Sequence, residues 1–212
     1  MPTARKRSRR QSALPRDDRT RAVAAALRIA ADEGWNAATL DRIAAEAELS
    51  LEALQAMFPS RAALLVAFVG DIDRDMLARA AGVDGGDSPR DRLFGVLMAR
   101  LDALRPYRNA VTSIARAAPL EPATACALVV ATRRSLAWML AAAGISHTGI
   151  DGALRMKGLG VIFASTLWAW SRDDSADLSA TMAHLDRQLL RVEKFLGILQ
   201  GIATPRARSA RA

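Results

Sequence analysis

Few residues in this chain have the types and spacing that covalent or metal chemistry needs. Cys126 is the single cysteine among 212 residues, so no intramolecular disulfide can form, and its Ala/Leu/Val surroundings read as core. His147 and His184 have no cysteine or carboxylate at ligand spacing, and no metal site is expected from them. Gly158 and Gly160 lack both the third glycine and the preceding strand of a phosphate-cradling loop. Asp173 and Asp174 read as a helix end rather than an acid–base couple. No catalytic residue, cofactor or enzyme activity is expected. What remains is the chemistry of recognition, concentrated in residues 39–61.

Within that stretch Thr39 and Ser50 each precede a short apolar-patterned run. Their hydroxyls can accept from the orphan N–H groups of a first helical turn. Ile43, Ala44, Ala47 and Leu49 are apolar or small at the spacing of a close helix corner, and Leu54 and Phe58 give the second helix one buried stripe. This is the pattern of a helix-turn-helix, whose second helix can lie in the major groove of double-stranded DNA. Backbone N–H groups at Thr39 and Ser50 can meet phosphate, and Arg42 and Arg61 carry phosphate-binding charge. Leu51 and Ala53 can touch a thymine methyl, and Gln55 can read adenine. The outward face of the second helix nevertheless has one acid, Glu52, and no cation. Arginine or lysine to guanine, the commonest base-specific contact, cannot come from it.

The formal net charge is +8, and the tails supply it. Residues 1–21 hold eight Lys/Arg against Asp17 and Asp18, residues 204–212 hold three arginines, and the remainder is close to neutral. Such basic, apolar-poor ends cannot bury enough surface to order themselves, and they commonly find phosphates. A solubilising or processing segment would have the same composition. No apolar stretch follows the N-terminal charges, so a secretory signal is not expected. The longest apolar run, residues 159–170, falls short of the about 20 residues a bilayer span needs. A soluble cytoplasmic protein without a membrane span is expected.

The elements that would position the motif are all helical. A first helix is expected over about 17–32, with Val23 and Leu27 inward and Gly34 as its C-terminal stop. Trp35 should pack beneath the helix corner. A longer helix over about 61–80 turns Leu64, Leu65, Phe68, Ile72, Met76 and Leu77 inward, before a Gly/Asp/Ser/Pro break at residues 82–89. Further helices are expected over about 89–104, 109–117, 122–143, 150–171 and 177–200. The stripe of the 122–143 helix includes Leu128, Val129, Thr132, Leu136 and Met139. In the last helix Leu178, Met182, Leu185, Leu189, Val192, Leu196 and Leu199 alternate at four and three residues, the signature of a long packing seam.

With the motif placed between a first helix and a long linking helix, the chain resembles the TetR/AcrR family of one-component repressors. The resemblance rests on residues 24–34, Thr39, Ile43, Ala44, Ala47, Leu49, Ser50, Leu54, and Phe58 to Arg61 with Leu64. It implies an all-α TetR-like homodimer of about nine helices. An N-terminal helix-turn-helix would bind a palindromic operator, and a C-terminal helical domain would hold a ligand. Arg61 stands where the family usually has lysine, Glu48 replaces its usual turn glycine, and Gln55 its common tyrosine. A second resemblance covers residues 165–187, through Trp170, Asp174, Ser175, Thr181, Leu185, Asp186 and Arg187. There the chain is similar to a TetR-like lipid-binding family that supports ubiquinone biosynthesis and has lost DNA binding.

The expected organisation is a basic arm at 1–16, a helix-turn-helix domain at 17–60, a ligand-binding and dimerisation domain at 61–203, and a basic tail at 204–212. Phe68, Leu97, Leu101, Trp138, Met139, Phe163, Leu167 and Trp170 are the candidate lining for a hydrophobic small molecule or lipid, although the same spacing suits plain core. Leu178, Met182, Leu185, Leu189, Val192 and Leu196 are the candidate dimer interface. The leading reading is a homodimeric repressor released by a hydrophobic effector. The alternative is a TetR-fold lipid-binding accessory protein.

Overall fold

The structure, a computed structural model, describes residues 15–81, 88–175 and 177–203, with side chains over 18–81, 88–175 and 177–193. The sequence's basic arm, apart from its last residues, its basic tail, and most of the expected break at 82–89 lie outside these residues. Among the described residues there is no strand and there are nine α-helices, joined in places by short 3-10 turns. They are α1 (Pro15–Asp32), α2 (Leu40–Glu46), α3 (Leu51–Met57), α4 (Arg61–Ala80), α5 (Pro89–Leu104), α6 (Arg108–Ala117), α7 (Pro122–Ala142), α8 (Gly149–Trp170) and α9 (Ser179–Ala203). The all-α fold read from composition and periodicity is the fold observed.

The chain divides into two compact units. The first contains residues up to 74 together with 104–135, so α6 and the beginning of α7 belong with the helix-turn-helix. Ala22, Ala25, Ala26 and Ala30 are buried along α1, and Ala110, Ile114 and Ala117 along α6. A row of alanines lets two helix backbones approach closely, and α1 and α6 form the main helix–helix packing here. Trp35 is buried as expected, on a 3-10 turn entered through Gly34, whose φ of 96° a side chain would resist.

The second unit contains residues 75–103 and 136 onwards. Its core holds Met76, Val96, Leu97, Leu101, Met139, Leu140, Phe163, Trp170 and Leu185. Arg92 donates through Nε to the carbonyl of Ala143 at 2.9 Å, closing the C-terminal end of α7. Arg90 reaches Asp186 on α9 and lies 3.8 Å from Glu193. Two carboxylates organise the turn between α8 and α9: Asp177 accepts from Ser179 N–H at 3.1 Å, and Asp173 makes the larger set of bonds. Asp173 accepts from the backbone N–H and hydroxyl of Thr181, at 2.7 and 2.6 Å, and from the N–H and hydroxyl of Ser175. These donors hold its carboxyl well below the usual carboxylate range. The sequence marked Asp173 and Asp174 alike as a helix end; of the two, Asp173 gathers these four bonds.

Two expectations about α7 need correcting. Val129 is 68% exposed, and Cys126 is exposed rather than core. The inward residues are instead Thr124, Ala131, Ser135, Leu136, Met139 and Leu140. A helix that is apolar on nearly every side does not declare its buried face through periodicity. Leu178, which precedes α9 at φ 57°, and Leu185 and Leu189 of α9 are buried within their own unit, where α9 packs on α8. Met182 is half-buried, Val192 is exposed, and the side chain of Leu196 lies outside the described residues. Leu178, Leu185 and Leu189 are therefore covered within the protomer. By length and composition α7 could cross a bilayer on its own, yet the exposed pair Arg133 and Arg134 sits halfway along it.

Candidate nucleic-acid interface

The corner between α2 and α3 is fixed by its backbone. Leu49 N–H donates to Ala44 O at 2.9 Å and Glu48 N–H to Ala45 O at 3.1 Å, the paired bonds of a Schellman stop. That stop requires a left-handed residue, and Glu48 takes it at φ 54°. Ser50 then starts α3: its Oγ accepts from Ala53 N–H at 3.1 Å. Thr39 sits at the equivalent position of α2, but its hydroxyl makes no cap bond to the helix. It donates instead to Asp41, and this bond is the main reason the Asp41 carboxyl lies below its ordinary value. Of the two capping hydroxyls read from the sequence, one caps.

Leu54 and Phe58 turn inward from α3, as the stripe predicted. Leu51, at 54% exposure, shares the outer face with Glu52, Gln55 and Ala56, while Ala53 is half-buried. Residues 35–60 carry one cation, Arg42, against Asp41, Glu46, Glu48 and Glu52.

The cations beside the motif are engaged in ion pairs. Arg42 forms a two-pronged pair with Glu33, which holds that carboxyl below its usual range. Arg28 on α1 meets Glu46 of α2 at 3.1 Å, and Arg19 meets Asp71 at 3.2 Å. Arg61 is the largest departure from the sequence reading. Its guanidinium donates to Trp35 O at 3.1 Å and to Glu121 at 2.9 Å, and it lies 5.3 Å from the Trp35 ring centroid. Glu121 also accepts from Thr124 Oγ1 at 2.9 Å, Thr124 faces the Trp35 indole N–H at 3.4 Å, and Trp35 N–H donates to Ser113 Oγ at 2.8 Å. The residue expected to bind phosphate ties the helix-turn-helix to α6 and α7. Glu121 and Ser113 were missed because nothing in their local sequence marks them; their partners are 60 and 78 positions away.

The candidate lining residues fall in both units. Phe68 belongs to the first, where its ring meets Tyr107 edge-on at 5.2 Å between centroids. Leu97, Leu101, Met139, Phe163 and Trp170 are buried in the second, Leu167 is half-buried, and Trp138 is 45% exposed. Among the described residues there is no cluster of His, Cys, Asp and Glu that could hold a metal ion.

Comparison with known proteins bears directly on this geometry. Residues 22–68, which contain the whole helix-turn-helix, match the family described as bacterial regulatory proteins, tetR family. No curated protein matches the sequence significantly. Among solved structures, the chain is similar to the TetR transcriptional regulator from Nitrosomonas europaea ATCC 19718, with 26% identity and a TM-score of 0.65 over 83% of this chain and 98% of that one. It also shares its fold with a TetR transcriptional regulator from Rhodococcus sp. RHA1, at 22% identity and a TM-score of 0.60 over 82% and 94% of the two chains. A transcriptional regulator from the same Rhodococcus is a further fold neighbour, at 20% identity and a TM-score of 0.54 over 84% and 96%. The helix-turn-helix segment thus matches the tetR family, and the all-helical fold around it is the one these regulators share.

Proposed function

We propose that this protein is a homodimeric transcriptional repressor that binds a palindromic operator in the cytoplasm and is released by a hydrophobic small molecule. The observation that carries the reading is the α2–α3 unit: a Schellman corner, a capped second helix, and an exposed outer face within a TetR fold. Leu51, Ala53 and Gln55 make the base contacts, and the N-terminal turns at Thr39 and Ser50 approach phosphate. Arg42 exchanges its exposed partner Glu33 for a phosphate, and the basic residues of the N-terminal arm supply the remaining charge. Arg61 makes no DNA contact in this reading, because it is committed inside its own unit.

The partner surface in this reading is α8. Ile150, Leu154, Val161 and Trp168 are all exposed, and from Leu154 onward they recur every seven residues. That is a stripe suited to a second copy, whereas Leu178, Leu185 and Leu189 of the other candidate seam are buried within their own unit. The effector occupies the second unit, among Leu97, Leu101, Met139, Phe163, Leu167 and Trp170. The TetR regulators found in the comparisons favour this reading over a lipid-binding accessory protein.

The test is a genomic-fragment pull-down at physiological salt, with the full chain and with a version lacking residues 1–14. The full chain is expected to enrich a palindromic fragment, and loss of the arm to flatten the salt dependence, by about 0.9 per phosphate contact removed. Enrichment no better than random DNA would end the reading.

A further inference from the structure

The first unit contains a groove that the DNA reading leaves unused. It lies between α1 and the turn into α6, has a volume of about 400 Å³, and falls within the about 300–1,000 Å³ of small-molecule sites. Its floor is apolar, formed by residues such as Leu27 and Ala31, and its rim carries Arg28, Arg105, Arg108 and Asn109. No acid lines it. Three guanidiniums and an amide around an apolar floor suit a molecule with one anionic end and a short hydrocarbon body.

We propose that this groove binds a small amphiphilic anion, and that its occupant competes with Glu46 for Arg28. Arg28 lines the groove and, at 3.1 Å, also pairs with Glu46 of α2. It lines a second hollow as well, between α1 and α2, together with Glu33, Arg42 and Glu46. A carboxylate on the groove side draws the guanidinium away from α2 and frees one of the ties that set the angle of the helix-turn-helix. The chemistry differs from that of the apolar residues of the second unit, and the inference does not require that the chain bind DNA.

The experiment titrates the full chain by calorimetry with decanoate, decanol and inorganic phosphate, keeping decanoate below its micelle concentration. Decanoate is expected to bind saturably, about tenfold or more tighter than either control, and to lose about tenfold or more in an Arg105→Gln/Arg108→Gln double variant that retains its helical circular dichroism. Amide hydrogen exchange over residues 40–46 should rise when decanoate is added, and should not respond in Arg28→Gln. Equal affinity for decanol or for phosphate, or undiminished binding in the double variant, overturns the site. Tight decanoate binding with unchanged exchange in α2 overturns the link through Arg28. Because both readouts are made without DNA, a failed pull-down leaves them intact.

Discussion

Glu48 shows how a single residue can be legible and still misfit. The caps, the small corner residues and the position of the turn all mark residue 48 as left-handed, and the structure places it at φ 54°. A side chain there costs about 1 kcal/mol relative to glycine. Glu48→Gly should therefore raise the free energy of urea unfolding by about 1 kcal/mol, while Glu48→Ala should leave it nearly unchanged. Both variants remove an acid beside α3, so both should tighten DNA binding in a mobility-shift assay at low salt. Asp173 is the opposite case, a strongly used residue that the sequence did not single out over Asp174. Replacing it with asparagine should cost about 2 kcal/mol at neutral pH, since its charge-assisted bonds organise the turn before α9. Its folded carboxyl is more acidic than an unfolded one at about 3.9, so its stabilisation is complete above that value and is lost as pH falls below it. The stability gap between the natural protein and Asp173→Asn should accordingly narrow in acid, as measured by denaturant melts from pH 7 down to pH 3.

At the scale of elements, the helices with one apolar face were readable and the uniformly apolar ones were not. The range of α4 follows from the sequence to the residue, and its inward residues Leu64, Leu65, Phe68, Ile72 and Met76 are buried as expected. In α7 the pattern allowed several faces, and tertiary packing chose one that puts Val129 and Cys126 outside. The heptad of α9 was recognised as a seam, but periodicity cannot say whether the helix across it belongs to the same chain. Long-range polar ties are the least readable, because a glutamate 60 positions from Arg61 has no local signature. The tie is nevertheless measurable. Arg61→Gln should destabilise the protein by about 2 kcal/mol, through loss of the Glu121 bond and the Trp35 stacking, and should leave the salt slope of DNA binding unchanged. A slope that drops by about one phosphate contact would return Arg61 to the DNA-facing role its position in the sequence suggested.

For the whole molecule, the fold and the resemblance to the tetR family were legible because caps, corner residues and helix spacing agree with one another. Partner surfaces were not, since exposure of an apolar residue is decided only once the chain has packed. The outward stripe of α8 makes a clear prediction at this scale. Val161→Glu or Trp168→Glu, at positions 71% and 60% exposed, should weaken self-association at least about tenfold in analytical ultracentrifugation without lowering the melting temperature of the protomer. The chain of bonds running from Arg61 through Glu121, Thr124 and Trp35 to Ser113 has a mechanical meaning as well. It ties the turn before α2 and the first turn of α4, which flank the helix-turn-helix on either side, to α6 and the start of α7. A signal that reorients α6 therefore pulls on both ends of the helix-turn-helix at once.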